Sequence, residues 1–332
     1  MVKYTMDNFK LYTQQDILSL VNTRIGEQKL GEKVQVVTDL DQLKNAAAQF
    51  VLLGIPEDIG VRANHGIGGT KTAWQAALKT FLNIQSNPFL QGEEILVLGH
   101  FEIAEPKDQS IDGLRKKVAE IDSLVSPIIE KIVAAGKIPI VIGGGHNNAA
   151  PLIWGSSLAL KQAINVVNID AHADLRNPAE GRHSGNGFSY AMQNAYLNQY
   201  RIFGLHQNYV NQALPNQIAT SQNISVTYFE DLLQSQKSIA ENWVDFTDDL
   251  PTPCGLEIDL DSIENLMSSA ISPSGFSIND IRKILLGNTK KYTYLHLCEG
   301  AIVMEDGRVD QKTGKAIAYL VSDFIKALRP RI

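Results

Sequence analysis

Cysteine is scarce in this sequence, since only Cys254 and Cys298 occur among 332 residues and they form no C-x-x-C pair. A thiolate zinc site or a disulfide framework is therefore not indicated, and both thiols are expected to pack as small hydrophobic side chains. Excess positive charge is also absent, because the net charge is -6 and the isoelectric point is about 5.7. These absences argue against nucleic acid or an anionic membrane surface as a partner and favour a small molecule or a protein.

Long hydrophobic runs are missing as well. No apolar segment approaches the length of a membrane span, and the first ten residues lack the basic and apolar regions of a secretion signal. We therefore expect a cytoplasmic protein. The glycine-bearing loop at residues 60–69 contains no G-x-G-x-x-G and no G-x-x-x-x-G-K-[ST] motif, which argues against nucleotide binding.

Short apolar runs alternate with stretches of helical periodicity along most of the chain. Strands are predicted at residues 50–55, 94–98, 138–142, 166–169, 202–205, 224–228, 255–258 and 293–297. Helices are predicted at residues 70–82, 111–135, 188–198, 278–286 and 316–328. This alternation predicts an α/β fold with a central parallel sheet, whose ligands gather beyond the carboxyl ends of the strands. Residues 1–47 are predicted to be an N-terminal extension that packs on the core of a single domain, residues 48–332.

The segment V-V-N-I-D-A-H-A-D-L-R at residues 166–176 places Asp170, His172 and Asp174 directly after a predicted strand. Residues two apart on a strand point to the same side, so these three side chains would converge at the end of the sheet. Two buried carboxylates beside a histidine repel each other and lose hydration unless a cation compensates them. A divalent metal site is the preferred interpretation. The alternative is a solvated loop in which the aspartates cap the next helix.

Two other predicted strands end in similar chemistry. His146 follows one of them in G-G-G-H-N, and Asp259 and Asp261 follow another in E-I-D-L-D-S. The carboxyl ends of parallel strands share one edge of the sheet, so all three segments could contribute to one site. Nitrogen and oxygen ligands without sulfur suit Mn²⁺ better than Zn²⁺. Bridging carboxylates could hold two ions about 3.5–4 Å apart, the geometry that binds and deprotonates a shared water.

These segments resemble, in the same order, motifs of the ureohydrolases, a family that includes arginase, agmatinase and formimidoylglutamase. G-G-G-H-N resembles the family's G-G-D-H-S, D-A-H-A-D matches D-A-H-x-D, and E-I-D-L-D-S resembles S-x-D-x-D. The resemblance implies the three-layer α/β/α arginase-like fold, two manganese ions per chain and a homo-oligomer. It also implies a division of the ligands: one ion bound by His146 and Asp174, a second completed by His172 and Asp261, and Asp170 and Asp259 in shared roles.

The resemblance also nominates catalytic residues. Glu299, in Y-L-H-L-C-E-G-A, would grip the substrate's formimino or guanidinium group, unless it only caps the next loop. Asp174 would relay a proton to the leaving nitrogen. Arginases and agmatinases place a shuttle histidine directly before a glycine in the loop after D-A-H-x-D. Here Ser184 precedes that glycine and His183 comes one residue earlier, so either His183 reaches the site differently or, as we favour, no shuttle is used.

The segment S-G-N-G-F at residues 184–188 resembles formimidoylglutamases more than arginases. Arg176 and Asn186 are candidate substrate-binding residues, with Arg182 and Arg62 as further guanidinium groups at the mouth of the site. Such groups suit a substrate with two carboxylates. The preferred expectation is hydrolysis of N-formimino-L-glutamate to L-glutamate and formamide, a step of histidine degradation. For Arg62 and Arg182, surface ion pairs are the alternative.

Other functions remain open at the level of sequence. An arginase, an agmatinase or a guanidino-acid hydrolase would release urea from the same centre. A metal-bound scaffold protein would need no shuttle histidine, and a single-zinc deacetylase would not need His146 and Asp174 as additional ligands. Further histidines are expected to be structural: His65, His100, His206 and His296.

Overall fold

The computed structural model describes residues 8–329, and within them a nine-stranded sheet has the order β1-β3-β2-β4-β9-β8-β5-β6-β7. The strands are β1 Phe9–Leu11, β2 Phe50–Gly54, β3 Ile95–Phe101, β4 Ile138–Ile142, β5 Ile164–Ile169, β6 Leu197–Leu205, β7 Ile224–Tyr228, β8 Cys254–Asp259 and β9 Leu295–Cys298. Every pairing between these strands is parallel except that of β1 with β3. The predicted central parallel sheet is confirmed.

Helices cover both faces of this sheet. The longer helices, with at least nine residues, are α3 Ala73–Leu82, α4 Ile111–Ala134, α5 Ala149–Leu160, α9 Ile239–Thr247, α10 Ile278–Gly287 and α11 Lys312–Ala327. The shorter ones are α1 Gln14–Leu18, α2 Ile59–Ala63, α6 Gly187–Gln193, α7 Leu214–Thr220 and α8 Phe229–Gln234.

Alternate residues of the central strands bury their side chains on opposite faces of the sheet. On β2, Phe50 and Leu52 join a cluster with residues of α3, α10 and α11, whereas Val51 and Leu53 join a second cluster with residues of α4, α5 and α6. A strand that is apolar on both faces needs cover on both. The result is the predicted three-layer α/β/α architecture, which is confirmed.

The sequence periodicity placed one helix end too late, placed the starts of β6 and α11 four or five residues too late, and missed two of the longer helices, α5 and α9. The helix predicted at residues 188–198 ends at Gln193, because Ala195 adopts a left-handed φ of 57° and β6 already begins at Leu197. Helix α5 was not predicted, since most of its residues are buried and it has no polar face to reveal a helical period.

Part of the N-terminal segment joins the sheet. Strand β1 pairs with β3 in antiparallel register, with Phe9 opposite Phe101, and Ile17 and Leu30 are buried in one of the two clusters. The first ten residues were expected to lack a secretion signal, but most of them, residues 1–7, lie outside the described range, as do residues 330–332. Among the described residues, no helix has both the length and the hydropathy that crossing a membrane requires.

Five neighbouring central strands deliver polar side chains to the same edge of the sheet. Glu57 follows β2, His146 follows β4, and Glu299 follows β9. The aspartate-bearing segments after β8 and β5 complete the row, because those strands are next in the sheet order. The site therefore forms where several loops meet at the carboxyl ends of parallel strands.

Candidate metal centre and active-site cavity

The structure brings together all six side chains that the sequence suggested as metal ligands. His146 is at the centre of the first group: its Nδ1 lies 3.2 Å from Asp170 Oδ2, 3.0 Å from Asp174 Oδ2 and 3.1 Å from Asp259 Oδ2. These four side chains offer ligand atoms that all lie within 4.8 Å of one another. Three carboxylate oxygens therefore face one imidazole nitrogen.

A second group adjoins the first. His172 Nδ1 lies 3.2 Å from Asp261 Oδ2 and 3.6 Å from Asp170 Oδ1. Asp170 belongs to both groups, with one carboxylate oxygen turned toward each histidine. The arrangement thus offers two neighbouring ligand sets that share a carboxylate, which is the layout of a binuclear centre.

The electrostatics of the cluster fit cations. Although burial opposes it, the neighbouring acidic groups raise the pKa of both His146 and His172 above the ordinary value of histidine. Burial, followed by the charges of Asp261 and Asp170, raises the pKa of Asp259. Within the described part of the chain, His146 Nδ1 forms no hydrogen bond despite the three nearby oxygens. Divalent ions would offset the negative charge of these carboxylates and would accept the lone pair of the imidazole nitrogen.

Local hydrogen bonds fix the aspartates. Asp170 Oδ1 accepts the backbone N–H of His172 at 2.7 Å, and Asp259 Oδ1 accepts that of Asp261 at 2.9 Å. Each aspartate thus closes a turn onto the amide two residues later, a conformation that short acidic side chains favour. Asn168, which the sequence reasoning did not single out, donates to Asp170 Oδ2 at 2.8 Å.

Glu57 organises the loop that carries His146, and the sequence reasoning missed it too. Its Oε1 accepts the Gly145 N–H at 2.9 Å and the Asn148 side-chain amide at 2.8 Å, while its Oε2 accepts the Gly60 N–H at 3.0 Å. Burial raises the pKa of this carboxyl. Gly145 stands where the resembled motif has aspartate, and Glu57 supplies a carboxylate to the same loop from the end of β2.

Glu299 connects this loop to a cavity. Its Oε1 accepts the backbone N–H of His146 at 2.8 Å, and its backbone has a left-handed φ of 61°, a strained conformation for glutamate. Burial, followed by the negative charges of Asp261 and Asp174, raises the pKa of Glu299 to about 8. A neighbouring cation would stabilise its ionised form.

The cavity has a volume of about 1050 Å³ and opens directly onto the metal-ligand cluster. Its floor includes His172, Asp174 and Glu299. Tyr209 forms part of the wall and stacks on the His172 ring with centroids 4.6 Å apart. Further polar side chains line the cavity: Asn64, Arg176, Asn177, Ser184, Asn211 and Gln217.

Among the candidate arginines, Arg176 is the one that lines the cavity. Its backbone N–H donates to Gly185 O at 2.9 Å, its side chain is exposed, and its guanidinium forms no ion pair with a described residue. Arg62, in contrast, is paired with Asp58 at 3.0 Å and with Glu105 at 2.6 Å. The ion-pair alternative is therefore the correct one for Arg62.

Arg182 and Asn186 lie in a buried network outside the cavity lining. Arg182 forms two hydrogen bonds to the Asp122 carboxylate, at 2.7 and 3.0 Å, and donates to Asn186 Oδ1 at 2.7 Å. Asn186 also donates to Gly181 O at 2.7 Å. Arg182 is thus neither at the cavity mouth nor in a surface ion pair, since only 4% of it is exposed.

His183 is also buried beside the cavity and does not line it. Its Nδ1 accepts the Gly185 N–H at 3.1 Å, which leaves its proton on Nε2, 3.3 Å from Glu180 Oε2. Burial lowers the pKa of His183 to about 4. The side chain therefore stabilises the loop as a neutral imidazole.

The remaining histidines occupy varied positions. His296 is fully buried, with Nδ1 2.6 Å from Glu257 Oε2. His206 stacks on Phe229 with ring centroids 4.6 Å apart, and His100 packs against Tyr12. His65 lines the cavity.

Several solved structures share this architecture, and they are named as formimidoylglutamases or arginases. Trypanosoma cruzi formiminoglutamase with Mn²⁺₂ matches with a TM-score of 0.71 and 20% identity, over 92% of this chain and 100% of that one. Formimidoylglutamase from Bacillus subtilis subsp. subtilis str. 168 matches with a TM-score of 0.68 and 14% identity, over 98% and 95% of the two chains. Arginase from Medicago truncatula matches with a TM-score of 0.67 and 17% identity, over 87% and 93%. The fold is therefore that of the arginase-like α/β/α proteins.

The sequence profile of the arginase family matches residues 48–325, so this chain belongs to the arginase family. Curated relatives include the formimidoylglutamases of Streptococcus pyogenes serotype M5 (strain Manfredo) and serotype M49 (strain NZ131). Each is 28% identical over 197 residues, which is 56% of this chain. The match spans about half, 55%, of the length of those relatives.

Proposed function

We propose that this protein is a binuclear manganese hydrolase that acts on the C=N unit of N-formimino-L-glutamate. Water adds to the formimino carbon, and the bond between that carbon and the glutamate nitrogen breaks, which releases L-glutamate and formamide. The observation that carries the proposal is the cluster of six ligand side chains, four of which line a cavity that also presents the guanidinium of Arg176, which has no ion pair among the described residues. The formimidoylglutamase names of the relatives, including a structure with Mn²⁺₂, support the same choice.

Each ligand set has a role in this proposal. His146 and Asp174 would hold one ion and His172 and Asp261 the other. Asp170, which belongs to both ligand sets, would be shared, and Asp259, which belongs to the set around His146, is assigned a shared role as well. Two manganese ions, when bound, supply positive charge against these carboxylates and activate water for hydrolysis. His172→Ala and Asp261→Ala should each remove a metal and abolish activity while leaving the fold intact.

The chain's own residues orient the substrate and move protons. Glu299 lies at the cavity floor and uses Oε1 for the His146 amide, so its other oxygen is available to the formimino nitrogen. A cationic amidine there would favour the ionised carboxylate. Asp174, whose pKa burial raises, lines the same cavity and would hand a proton to the leaving glutamate nitrogen. His183 is outside the cavity lining, which supports a reaction without a histidine shuttle.

Polar side chains that line the cavity would bind the glutamate part of the substrate. Arg176 offers two parallel N–H donors to a carboxylate, and the side chains of Asn64 and Ser184 stand beside it in the lining. Asn186 would act indirectly, by closing the loop that carries Ser184.

The proposed enzyme has a defined domain organisation, metabolic role, location and assembly. It comprises a catalytic domain at residues 48–332 with residues 1–47 packed on it, a place in histidine degradation, a cytoplasmic location and assembly into a homo-oligomer. The absence of a strongly basic charge supports a small-molecule substrate over nucleic acid or membrane partners.

The test is turnover of manganese-loaded protein with N-formimino-L-glutamate, arginine, agmatine and guanidinobutyrate in parallel, with formamide and urea measured separately. Formamide from the first substrate alone is the expected result. Urea release would instead assign the centre to an arginase, agmatinase or guanidino-acid hydrolase. Tight binding of one zinc and no turnover of any substrate would contradict the binuclear hydrolase. The Glu299→Gln variant is the matched control, since it should retain both metals and lose substrate affinity.

A further inference from the structure

Three fully buried side chains behind His146 have no part in the proposed reaction: Glu257, Tyr294 and His296. Glu257 and His296 are partners in the register of the parallel strands β8 and β9. Glu257 Oε1 accepts the Tyr294 hydroxyl at 2.7 Å, and Oε2 lies 2.6 Å from His296 Nδ1. Burial of a carboxylate is unfavourable without such partners, and these two compensate it in part.

The same carboxylate faces His146 from the side opposite the aspartates. His146 Nε2 lies 3.6 Å from Glu257 Oε2, whereas Nδ1 lies 3.0 Å from Asp174 Oδ2. Within the described residues neither ring nitrogen of His146 forms a hydrogen bond. The imidazole therefore lies between carboxylates, with one near each of its nitrogens. Cys298 also lies near this group, but a thiol is a weaker acceptor than a carboxylate.

We infer that Glu257 is a positioning residue for His146: it keeps the imidazole proton on Nε2, so that the Nδ1 lone pair points to the aspartate cluster and to a cation bound there. A neutral imidazole carries one proton, and a lone pair on Nδ1 requires that proton on Nε2. A carboxylate behind the ring selects this tautomer and makes the ligand nitrogen more basic. Because a bound cation is part of the proposed function, the role of Glu257 depends on that function.

The position of Glu257 distinguishes this role from that of an ordinary core residue. Glu257 is on β8 two residues before Asp259, so consecutive inward positions of one strand place a supporting carboxylate and a ligand carboxylate on either side of the same imidazole. His296 approaches Glu257 from β9 and Tyr294 from the residue directly before that strand, and the two side chains contact its two carboxylate oxygens. They fix the direction in which the carboxylate points.

The test is calorimetric titration of metal-free, folded protein with Mn²⁺, comparing wild type with Glu257→Gln and Tyr294→Phe. The glutamine keeps the shape and removes the charge, so one of the two manganese sites should weaken by about 10- to 100-fold while the other is unchanged. Tyr294→Phe removes a partner of Glu257 and keeps the charge, so it should lower the melting temperature and leave both affinities within about threefold of wild type.

Other results would overturn the inference. Wild-type affinity at both sites in folded Glu257→Gln would show that Glu257 only stabilises the core, while the proposed function would stand. Wild-type protein that binds no manganese would overturn the proposed function and this inference together. Glu257→Asp, which keeps the charge and shortens its reach, is the second variant if glutamine prevents folding, and it should weaken the same single site.

Discussion

At the scale of single residues, Arg176 and Arg182 lie in one loop and are equivalent candidates for substrate binding in the sequence, but their contacts in the structure differ. Arg182 is committed to Asp122 and Asn186 in a buried network, whereas Arg176 lines the cavity and its guanidinium has no ion pair with any residue in the range 8–329. Guanidinium groups bind carboxylates well in either setting. Only the free one can bind a carboxylate that arrives with the substrate.

Replacement of Arg176 by alanine should therefore impair substrate binding. A hydrogen bond to a charged group contributes about 1.5–3 kcal/mol, so KM for N-formimino-L-glutamate should rise about 10- to 100-fold with a smaller change in kcat. Arg176→Lys should recover part of the loss, because it keeps the charge without the bidentate geometry. Arg308→Ala removes an arginine paired with Asp306 and serves as the control. An unchanged KM in Arg176→Ala would exclude Arg176 from carboxylate recognition.

His183 should make stability depend on pH. Burial lowers its pKa to about 4 in the folded chain, whereas an unfolded histidine has a pKa of about 6.5. The unfolded chain binds more protons than the folded chain between these two pH values. The contribution of His183 to the free energy of unfolding is therefore fully present above about pH 6.5 and is lost as the pH falls toward 4. The loss should be on the order of 2–3 kcal/mol.

Denaturant unfolding of metal-free protein at several pH values would measure this effect. His183→Asn keeps an acceptor for the Gly185 N–H and cannot titrate, so its stability should fall less than that of the wild type in this pH range. Parallel curves for the two proteins would contradict the assignment.

At the scale of secondary-structure elements, the pattern of the sequence predicted much of the sheet. Continuous apolar runs at β2 and β4 were correctly predicted to be strands buried on both faces, and β8 was predicted as a strand as well. The polar residues at their carboxyl ends were then brought to one edge by parallel pairing alone. Helix α5 was missed, because a helix buried on nearly all sides has no amphipathic period.

The supporting contacts could not be read from the sequence. Glu57 binds a loop 88 residues away, and Asp122 binds Arg182 at a separation of 60 residues. No local periodicity encodes such pairs, since they depend on how separate loops pack after the sheet has formed. The resemblance to a family motif showed only that Gly145 lacks a carboxylate, not that Glu57 provides one.

The pair of Asp122 and Arg182 joins α4 to the loop beside the cavity, and its loss should be severe. Asp122→Ala would leave a guanidinium buried without its counter-ion, which costs about 3–5 kcal/mol. Lys117 and Glu120 form an exposed pair 2.9 Å apart on the same helix, so Glu120→Ala is the matched control and should change stability by less than about 1 kcal/mol. Equal free energies of unfolding for the two variants would show that α4 does not depend on this contact.

At the scale of the whole molecule, the buried carboxylates of the candidate centre destabilise the metal-free fold, and a bound cation would stabilise it. The two ligand sets concentrate buried aspartates at one edge of the sheet. The molecule tolerates this because the strands and helices behind the site are extensively apolar. Stability and metal loading should therefore be coupled.

Removal and return of Mn²⁺ should shift the melting temperature reversibly. A cation that binds only the folded chain stabilises it by about 2.7 kcal/mol per site at a concentration of 100 times Kd, so chelation should lower the melting temperature by several degrees. The Asp259→Asn variant sharpens the prediction, because burial and neighbouring negative charges raise the pKa of Asp259.

Asparagine at position 259 resembles the neutral acid and keeps an acceptor for the Asp261 N–H. Metal-free Asp259→Asn should therefore be at least as stable as metal-free wild type, whereas in saturating Mn²⁺ the wild type should be the more stable protein. Thermal unfolding of both proteins, with and without the metal, tests this reversal of order. If the wild type were the more stable protein by the same margin under both conditions, Asp259 would stabilise the fold independently of metal and would not belong to the ligand set.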